Sequence, residues 1–329
     1  MKPAKLYDVV GLGSPIIDYL LPVSESFLKQ LPGPKHGMMT IGEPRFQSII
    51  QASGQTPKKT TGGSCANTLE GLANLGHRCV LHGGVGNDAA GEQFLKRLQV
   101  QNIEPRLVYL DAPTYQVLCL IAPDGHRTFR AVPGAGAEFA VDHVDIKLLS
   151  EANLVHIEGY LIRNEGLLAY VARLAKAAGA FVSLDLASHE IVHSHRDALM
   201  DILRPSVDIV FCNEDEARIL EGTDSRGACE LLRQVCSIAV VLQGKEGCLV
   251  GSADGVHQYP AYPVQAVDTT GAGDFFASGF LHGFLTHQDL ATCAHYGAVM
   301  GNAVVQVLGA EVPPELWAAL QQACSPSPQ

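Results

Sequence analysis

The chain has 329 residues, of which 47% are hydrophobic and 17% charged, and its formal net charge is −11. That length supports one large α/β domain with an insertion, or two domains, and a substantial core. The acidic balance argues against nucleic acid or an anionic membrane surface as a main partner. It also requires any anionic substrate to be held by local amides, a metal ion or a few Lys and Arg side chains.

Read in chain order, the N-terminus carries Lys2 and Lys5, but Asp8, Pro15 and Asp18 interrupt its apolar run, so no secretion signal is expected. Apolar β-branched runs then alternate with segments of helical period. Strands are predicted at 7–11, 79–83, 154–157, 181–186, 209–212, 238–242 and 248–250, with a further strand-like stretch at 256–267. Helices are predicted at 66–75, 91–99, 165–178, 215–221, 227–235, 275–284 and 290–307. The strands read as continuous apolar runs, as in a parallel sheet covered on both faces. Two stretches break the rhythm: 22–61 is rich in Pro, Gly and Gln, and 106–130 alternates like an antiparallel ribbon with a turn at Pro123-Asp124-Gly125. Together they are candidates for a small cover over a site. The apolar run 296–308 is too short to span a bilayer and contains Asn302 and Gln306, so it reads as a buried helix. The tail 324–329 is expected to fray. The nine cysteines are odd in number and contain no Cys-x-x-Cys, which fits small buried hydrophobes in a reducing, cytoplasmic compartment.

The residues that could carry chemistry follow the same order. Asp18, after Gly13-Ser14-Pro15, offers a carboxylate able to accept two hydroxyl hydrogen bonds, and it reads also as a plain turn residue. Gly62 and Gly63 let the backbone approach a ligand, and Asn67 supplies a donor and an acceptor; the bland alternative is a glycine turn with a Ser64 N-cap. Glu158 ends a predicted strand and so faces the crevice at the carboxyl edge of a parallel sheet. Asn213-Glu214-Asp215-Glu216 reads either as an Asn N-cap with an acidic first turn or as a hard-cation site, direct or through water. The loop Gln243-Gly244-Lys245-Glu246-Gly247 lies between two predicted strands, and Lys245 there reads as a solvated side chain or a phosphate contact. In Asp268-Thr269-Thr270-Gly271-Ala272-Gly273-Asp274, the small residues expose backbone amides at a helix start, a site for a phosphate. Asp274 places a carboxylate beside that anion hole, where removing a proton from an attacking hydroxyl would explain it.

Three strings are decoys. His189-Glu190-Ile191-Val192-His193 spells H-E-x-x-H, which on a helix would present two zinc ligands, but a zinc hydrolase leaves the phosphate-type motifs without a purpose. Gly11-x-Gly13 fails the dinucleotide fingerprint because Ile16 stands at the third glycine position, and Gly84-x-Gly86 fails with Ala89 there.

The string Asp268 to Asp274 resembles the signature of the PfkB (ribokinase-like) carbohydrate and nucleoside kinases, and the resemblance runs over nearly the whole chain. It implies an α/β fold, a three-layer α/β/α sandwich with a mostly parallel central sheet, as one domain over 1–329. A small β-rich lid would be built from about 14–61 and 106–130, with Asp124, Gly125, Arg127 and Thr128 in its hairpin. It implies ATP as cosubstrate and Mg²⁺, with Asp274 as base and the Gly271, Ala272 and Gly273 amides on the transferring phosphoryl group. Asp18, Gly62, Gly63 and Asn67 would bind substrate hydroxyls, and Glu158 would support Asp18 or the metal. Asn213, Gly244 and Gly247, with Gly271 and Gly273, would contact the nucleotide. Glu216 would organise Mg²⁺ through water, and backbone oxygens of Asp268 and Thr270 would hold K⁺. Leu242 stands where the family often has Thr, so one hydroxyl contact is missing.

The pieces Gly13-Ser14-Pro15-x-x-Asp18, Gly62-Gly63-Ser64-x-x-Asn67-Thr68 and Glu158-Gly159-Tyr160-Leu161, with the long 22–61 insertion, look most like the adenosine-kinase-like bacterial branch. The expected acceptor is therefore the primary hydroxyl of a nucleoside, adenosine first, with a free sugar (ribose, fructose or 2-keto-3-deoxygluconate type) as the alternative. A non-catalytic nucleotide or nucleoside sensor is the alternative of another class. The partner is a small molecule, and the chain would be a monomer or a homodimer.

Overall fold

The computed structural model describes residues 5–33, 37–123, 126–221 and 224–325. Fourteen strands form two sheets among these residues: β1 (Tyr7–Leu12), β2 (Ile16–Pro22), β3 (Met38–Thr40), β4 (Lys58–Gly62), β5 (Cys79–Gly86), β6 (Ile103–Leu110), β7 (Tyr115–Ile121), β8 (Arg127–Val132), β9 (Ala152–Glu158), β10 (Phe181–Asp185), β11 (Ile209–Asn213), β12 (Ile238–Leu242), β13 (Cys248–Ser252) and β14 (Gly255–Tyr259). The nine-stranded sheet has the order β14-β13-β12-β11-β10-β9-β1-β5-β6, parallel from β12 to β6 and antiparallel at β12-β13-β14.

Successive residues of each parallel strand point to opposite faces, and both faces are apolar. Val10, Leu12, Val155, Val182 and Val210 pack under the helices Leu167–Ala177 and His189–Ser206. Val9, Leu154, Ile209, Phe211 and Val240 pack with the helices Ser64–Asn74, Ala89–Val100 and Ala272–Leu285. The result is three layers, with the carboxyl ends of β1, β9, β10, β11 and β12 opening along one edge.

The second sheet, β3-β8-β7-β2-β4, uses the stretches that broke the rhythm. One of its faces carries Ile17, Tyr19, Leu21, Leu118 and Leu120. The helix Glu43–Ser53 covers that face, with Phe46 packed edge-on to Tyr19 at 5.0 Å between ring centroids. The region 22–61 is thus more regular than its composition suggests, holding two helices and two strands.

Three expectations need correction. Residues 106–110 are not part of the ribbon: they belong to β6, the edge of the large sheet, and only β7 and β8 pair antiparallel. An edge strand covered on one face alternates like a ribbon, and its Pro105 is tolerated there. The stretch 256–267 leaves the sheet after Tyr259, because Pro260 and Pro263 cannot donate to a ladder. Cys324 is not frayed: it is fully buried, and its carbonyl accepts from His282 Nε2 at 3.0 Å. The expected turn at Asp124 and Gly125, and tail residues 326–329, lie outside the described residues. All nine cysteines are free and buried. No helix among the described residues is long and apolar enough to cross a membrane.

Candidate active site

The D-T-T-G-A-G-D turn leads into the helix Ala272–Leu285, and Gly271 is its N-cap at φ +79°, a left-handed conformation that only glycine adopts freely. The amides of Gly273 and Asp274 fall in the first turn, where no helical carbonyl precedes them. That of Ala272 donates to the Thr269 carbonyl at 3.2 Å and closes the turn. Asp274 sits half-buried on the floor of a cavity of about 560 Å³. Its Oδ1 accepts from Ser64 Oγ at 2.7 Å and its Oδ2 from Asn67 Nδ2 at 2.8 Å. Burial raises its pKa to about 6, against the lowering pull of those two hydrogen bonds and of Arg97. Ser64 is not the N-cap of its helix: Gly63 is, and the Ser64 hydroxyl is turned to Asp274 instead.

Asp18 enters the same cavity from β2, its pKa raised to about 6 by burial. Beside it β4 brings Gly62 opposite Ile16, and a Cβ on Gly62 would collide with the Asp18 carboxylate. Gly63 and Asn67 line the cavity as well. Ile16, Met38, Tyr115, Val117 and Phe129, all from the small sheet, make an apolar wall next to Asp18. Glu158, 1% exposed, is neither a solvent residue nor bonded to Asp18. Its Oε1 accepts from the Ser14 amide at 2.8 Å and its Oε2 from the Cys65 amide at 3.4 Å, so it joins the loop after β1 to the helix Ser64–Asn74. Burial lifts it to about 7.

On the opposite side, Asn213 and Glu216 form a reciprocal cap. Asn213 Oδ1 accepts from the Glu216 amide at 3.0 Å, and Glu216 accepts from Asn213 Nδ2 at 2.7 Å and from the Asn213 amide at 3.0 Å. Glu216 is buried, and its pKa is raised to about 7, first by burial. Asp185, at the end of β10 and paired in register with Glu158, was not anticipated from sequence. Its pKa is raised well above the usual carboxylate range by burial and then by Glu216, Asp274 and Glu158. Four carboxylates that repel one another around a cavity fit a divalent cation. Among the described residues no three His, Cys, Asp or Glu side chains converge closely enough to hold an ion by themselves. The residues placed to hold a hard cation there, through water or an anionic ligand, are Asp185 and Glu216. The H-E-x-x-H string opens the helix His189–Ser206, where His189 Nδ1 lies 3.4 Å from Glu190 Oε2.

A second cavity of about 520 Å³ adjoins the first, sharing Leu242, Gly244, Thr269, Ala272 and Gly273 with it. Gly247, Lys245 and Asn302 line it, and Pro260, Tyr262, Phe276 and Val305 make its apolar walls. Asp268 does not face either cavity as a free carboxylate. Arg127, from β8 of the small sheet, donates to Asp268 Oδ2 and to Thr270 Oγ1, each at 2.6 Å, and the Gly309 amide donates to Asp268 Oδ2 at 2.8 Å. The small sheet is thereby fastened to the glycine turn.

The sequence reading missed Ser64 as a partner of Asp274, the carboxylate of Asp185, and the walls at 260–266 and 298–305. Asp185 carried a usable signal, an acidic residue ending a predicted parallel strand as Glu158 does. The walls carried none, since apolar residues in a proline-rich loop or along a buried helix read as packing.

Residues 42–317 match the model of a family described as pfkB family carbohydrate kinase. An adenosine kinase of Saccharomyces cerevisiae is 27% identical over 335 residues, covering 93% of this chain and 97% of its own length. The crystal structure of a probable sugar kinase from Rhizobium etli superposes with a TM-score of 0.89 at 29% identity, covering 97% of this chain and 99% of its own. That of an adenosine kinase from Sinorhizobium meliloti gives 0.88 at 30% identity, with 96% and 99% covered.

Proposed function

Because the chain belongs to the pfkB family of carbohydrate kinases, we propose that it transfers the γ-phosphoryl group of ATP to the primary hydroxyl of a nucleoside, adenosine foremost. The observation that carries the choice of acceptor is the apolar wall of Ile16, Met38, Tyr115, Val117 and Phe129 beside the Asp18 carboxylate. A ribose diol would bind Asp18, and a planar base would lie on that wall. A free sugar is smaller and presents less apolar surface than a planar base, so it would cover less of the wall. The free-sugar reading is kept as the second, on the likeness to the probable sugar kinase of R. etli.

In this reading Asp274 takes the proton of the acceptor hydroxyl. The oxygen attacks the γ-phosphorus in line, the bond to the β,γ-bridging oxygen breaks, and ADP leaves. Amides of the glycine turn hold the phosphoryl oxygens as charge shifts. The second cavity takes the nucleotide, with Asn213, Gly244 and Gly247 at its edge. Mg²⁺ would neutralise the phosphates, near Glu216 and Asp185, and the backbone oxygens of Asp268 and Thr270 would take K⁺. The small sheet acts as the lid, and its closure would exclude water and suppress ATP hydrolysis.

The test is ATP consumption with Mg²⁺ and K⁺ against adenosine, other nucleosides, ribose, fructose and 2-keto-3-deoxygluconate. Turnover with adenosine well above the rest supports the reading. Preference for a free sugar replaces the acceptor and keeps the chemistry. Asp274→Asn should lower kcat by about 10²-fold or more while nucleotide binding persists, and near-normal turnover of that variant overturns the mechanism.

A further inference from the structure

Beneath Asn67, outside the cavity, lies a buried ion pair that no motif announced. Arg97, on the helix Ala89–Val100, has a side chain 9% exposed, and Glu70, on the helix Ser64–Asn74, has one 1% exposed. The Arg97 Nε donates to Glu70 Oε2 at 3.2 Å and its Nη2 bonds the same oxygen. Nη2 also donates to Asn67 Oδ1 at 3.2 Å. A guanidinium can only donate, so the Asn67 side chain must turn its oxygen to Arg97, and its Nδ2 is then left for Asp274. Without Arg97 the amide could rotate and set its oxygen against the carboxylate.

Stability does not explain the pair. Two buried charges lose their hydration, and Arg97 Nη1 finds no acceptor among the described residues. We propose that Arg97 is a positioning residue for Asp274: it locks the Asn67 amide against the base, and Glu70 sets how much of its positive charge the base feels. The inference rests on the reading of Asp274 as the base.

The charged and titratable groups around Asp274 come from several elements. Arg97 reaches it from the helix Ala89–Val100, with Glu70 behind Arg97 on the helix Ser64–Asn74; Cys65 lies on that same helix, Glu158 on β9 and Asp185 on β10, and Asp18 on β2 and Glu216 after β11 line the same cavity. Arg97 is the cation of this set, so its removal and the removal of its counter-charge should move Asp274 in opposite directions.

The experiment is a ¹³C NMR titration of the Asp274 carboxyl, assigned by its loss in Asp274→Asn, in the wild type, Arg97→Met and Glu70→Gln. The wild-type midpoint is expected at about 6. Arg97→Met should raise it by about one unit, and Glu70→Gln, which keeps an acceptor for Arg97, should lower it. On the accepted substrate, Arg97→Met should cut kcat roughly tenfold, with a smaller rise in the acceptor KM because Arg97 also acts on Asp18. An unmoved midpoint in Arg97→Met, or equal shifts of one sign in both variants, overturns the inference. If Arg97→Met does not fold, the downward shift in Glu70→Gln decides alone. The titration needs no substrate, so its failure is separate from that of the kinase mechanism, which Asp274→Asn turnover tests.

Discussion

Asp274 is bonded by Ser64 and Asn67, residues 210 and 207 positions away in the chain, and burial raises its pKa to about 6 against their pull. A base is competent only when ionised, so kcat should fall as pH drops through about 6. A pH–rate profile at saturating substrates checks this, and a flat profile down to pH 5 would remove Asp274 as the titrating group. Gly62 is confined by the Asp18 carboxylate that its Cβ would strike. Gly62→Ala should push Asp18 aside and raise the acceptor KM by about tenfold, with a smaller change in kcat, as steady-state kinetics would read. The strings that hold Gly62 and Asp274 were visible in sequence because their spacing is local, but the contacts of Gly62 with Asp18 and of Asp274 with Asn67 were not. The roles of Ser64 and Asp185 were not, because each takes its meaning from side chains brought by other elements.

At the scale of elements, the helix that carries Asp274 is anchored at its far end by two histidines. His282 Nε2 donates to the Cys324 carbonyl at 3.0 Å, and His77 and His282 share a hydrogen bond of 2.9 Å. The hydrogen bonds are satisfied with both rings uncharged, His77 Nε2 donating to His282 Nδ1. Burial, and then His282, lower the His77 pKa to about 4, with Asp8 pulling weakly the other way. A histidine held neutral in the fold gives up stability as pH falls from its unfolded value near 6.5 towards 4, where the unfolded chain binds the proton first. The loss should approach about 2–3 kcal/mol at pH 4. Thermal unfolding of the wild type should steepen in its acid dependence relative to His77→Asn, and identical slopes would show the pair to be inert. The helix Glu43–Ser53 has a different task, since Phe46 is fully buried against the small sheet. Phe46→Ala should cost about 3–5 kcal/mol, read by denaturant unfolding. Helices and strands of the large sheet were legible from periodicity. This helix was not, because its neighbourhood is rich in Pro and Gly and its one apolar stripe has meaning only once the small sheet exists.

At the scale of the whole molecule, the edge formed by the carboxyl ends of the parallel strands gathers the loop after β1, Glu158, Asp185, Asn213 and Gly244 on one crevice, as a parallel sheet requires. The small sheet closes its other side and is fastened to the glycine turn by Arg127. Its outer apolar face is covered by the chain's own helix, so that face is not free to meet a second copy. Sedimentation against the 35.0 kDa of one chain separates the monomer from the homodimer, and a dimer would have to use another surface, such as the sheet edges at β3 and β4.

The sequence by itself determined the layered α/β class, the glycine turn with its carboxylate and the Asn-x-x-Glu cap. Period, turn chemistry and capping are local properties, written in neighbouring residues. Only the tertiary structure decided which face of the small sheet lines the cavity, that Asp185 joins Glu158 and Glu216, and that Arg97 and Glu70 stand behind Asn67. Those facts depend on distances between segments far apart in the chain, which packing sets and no local pattern records.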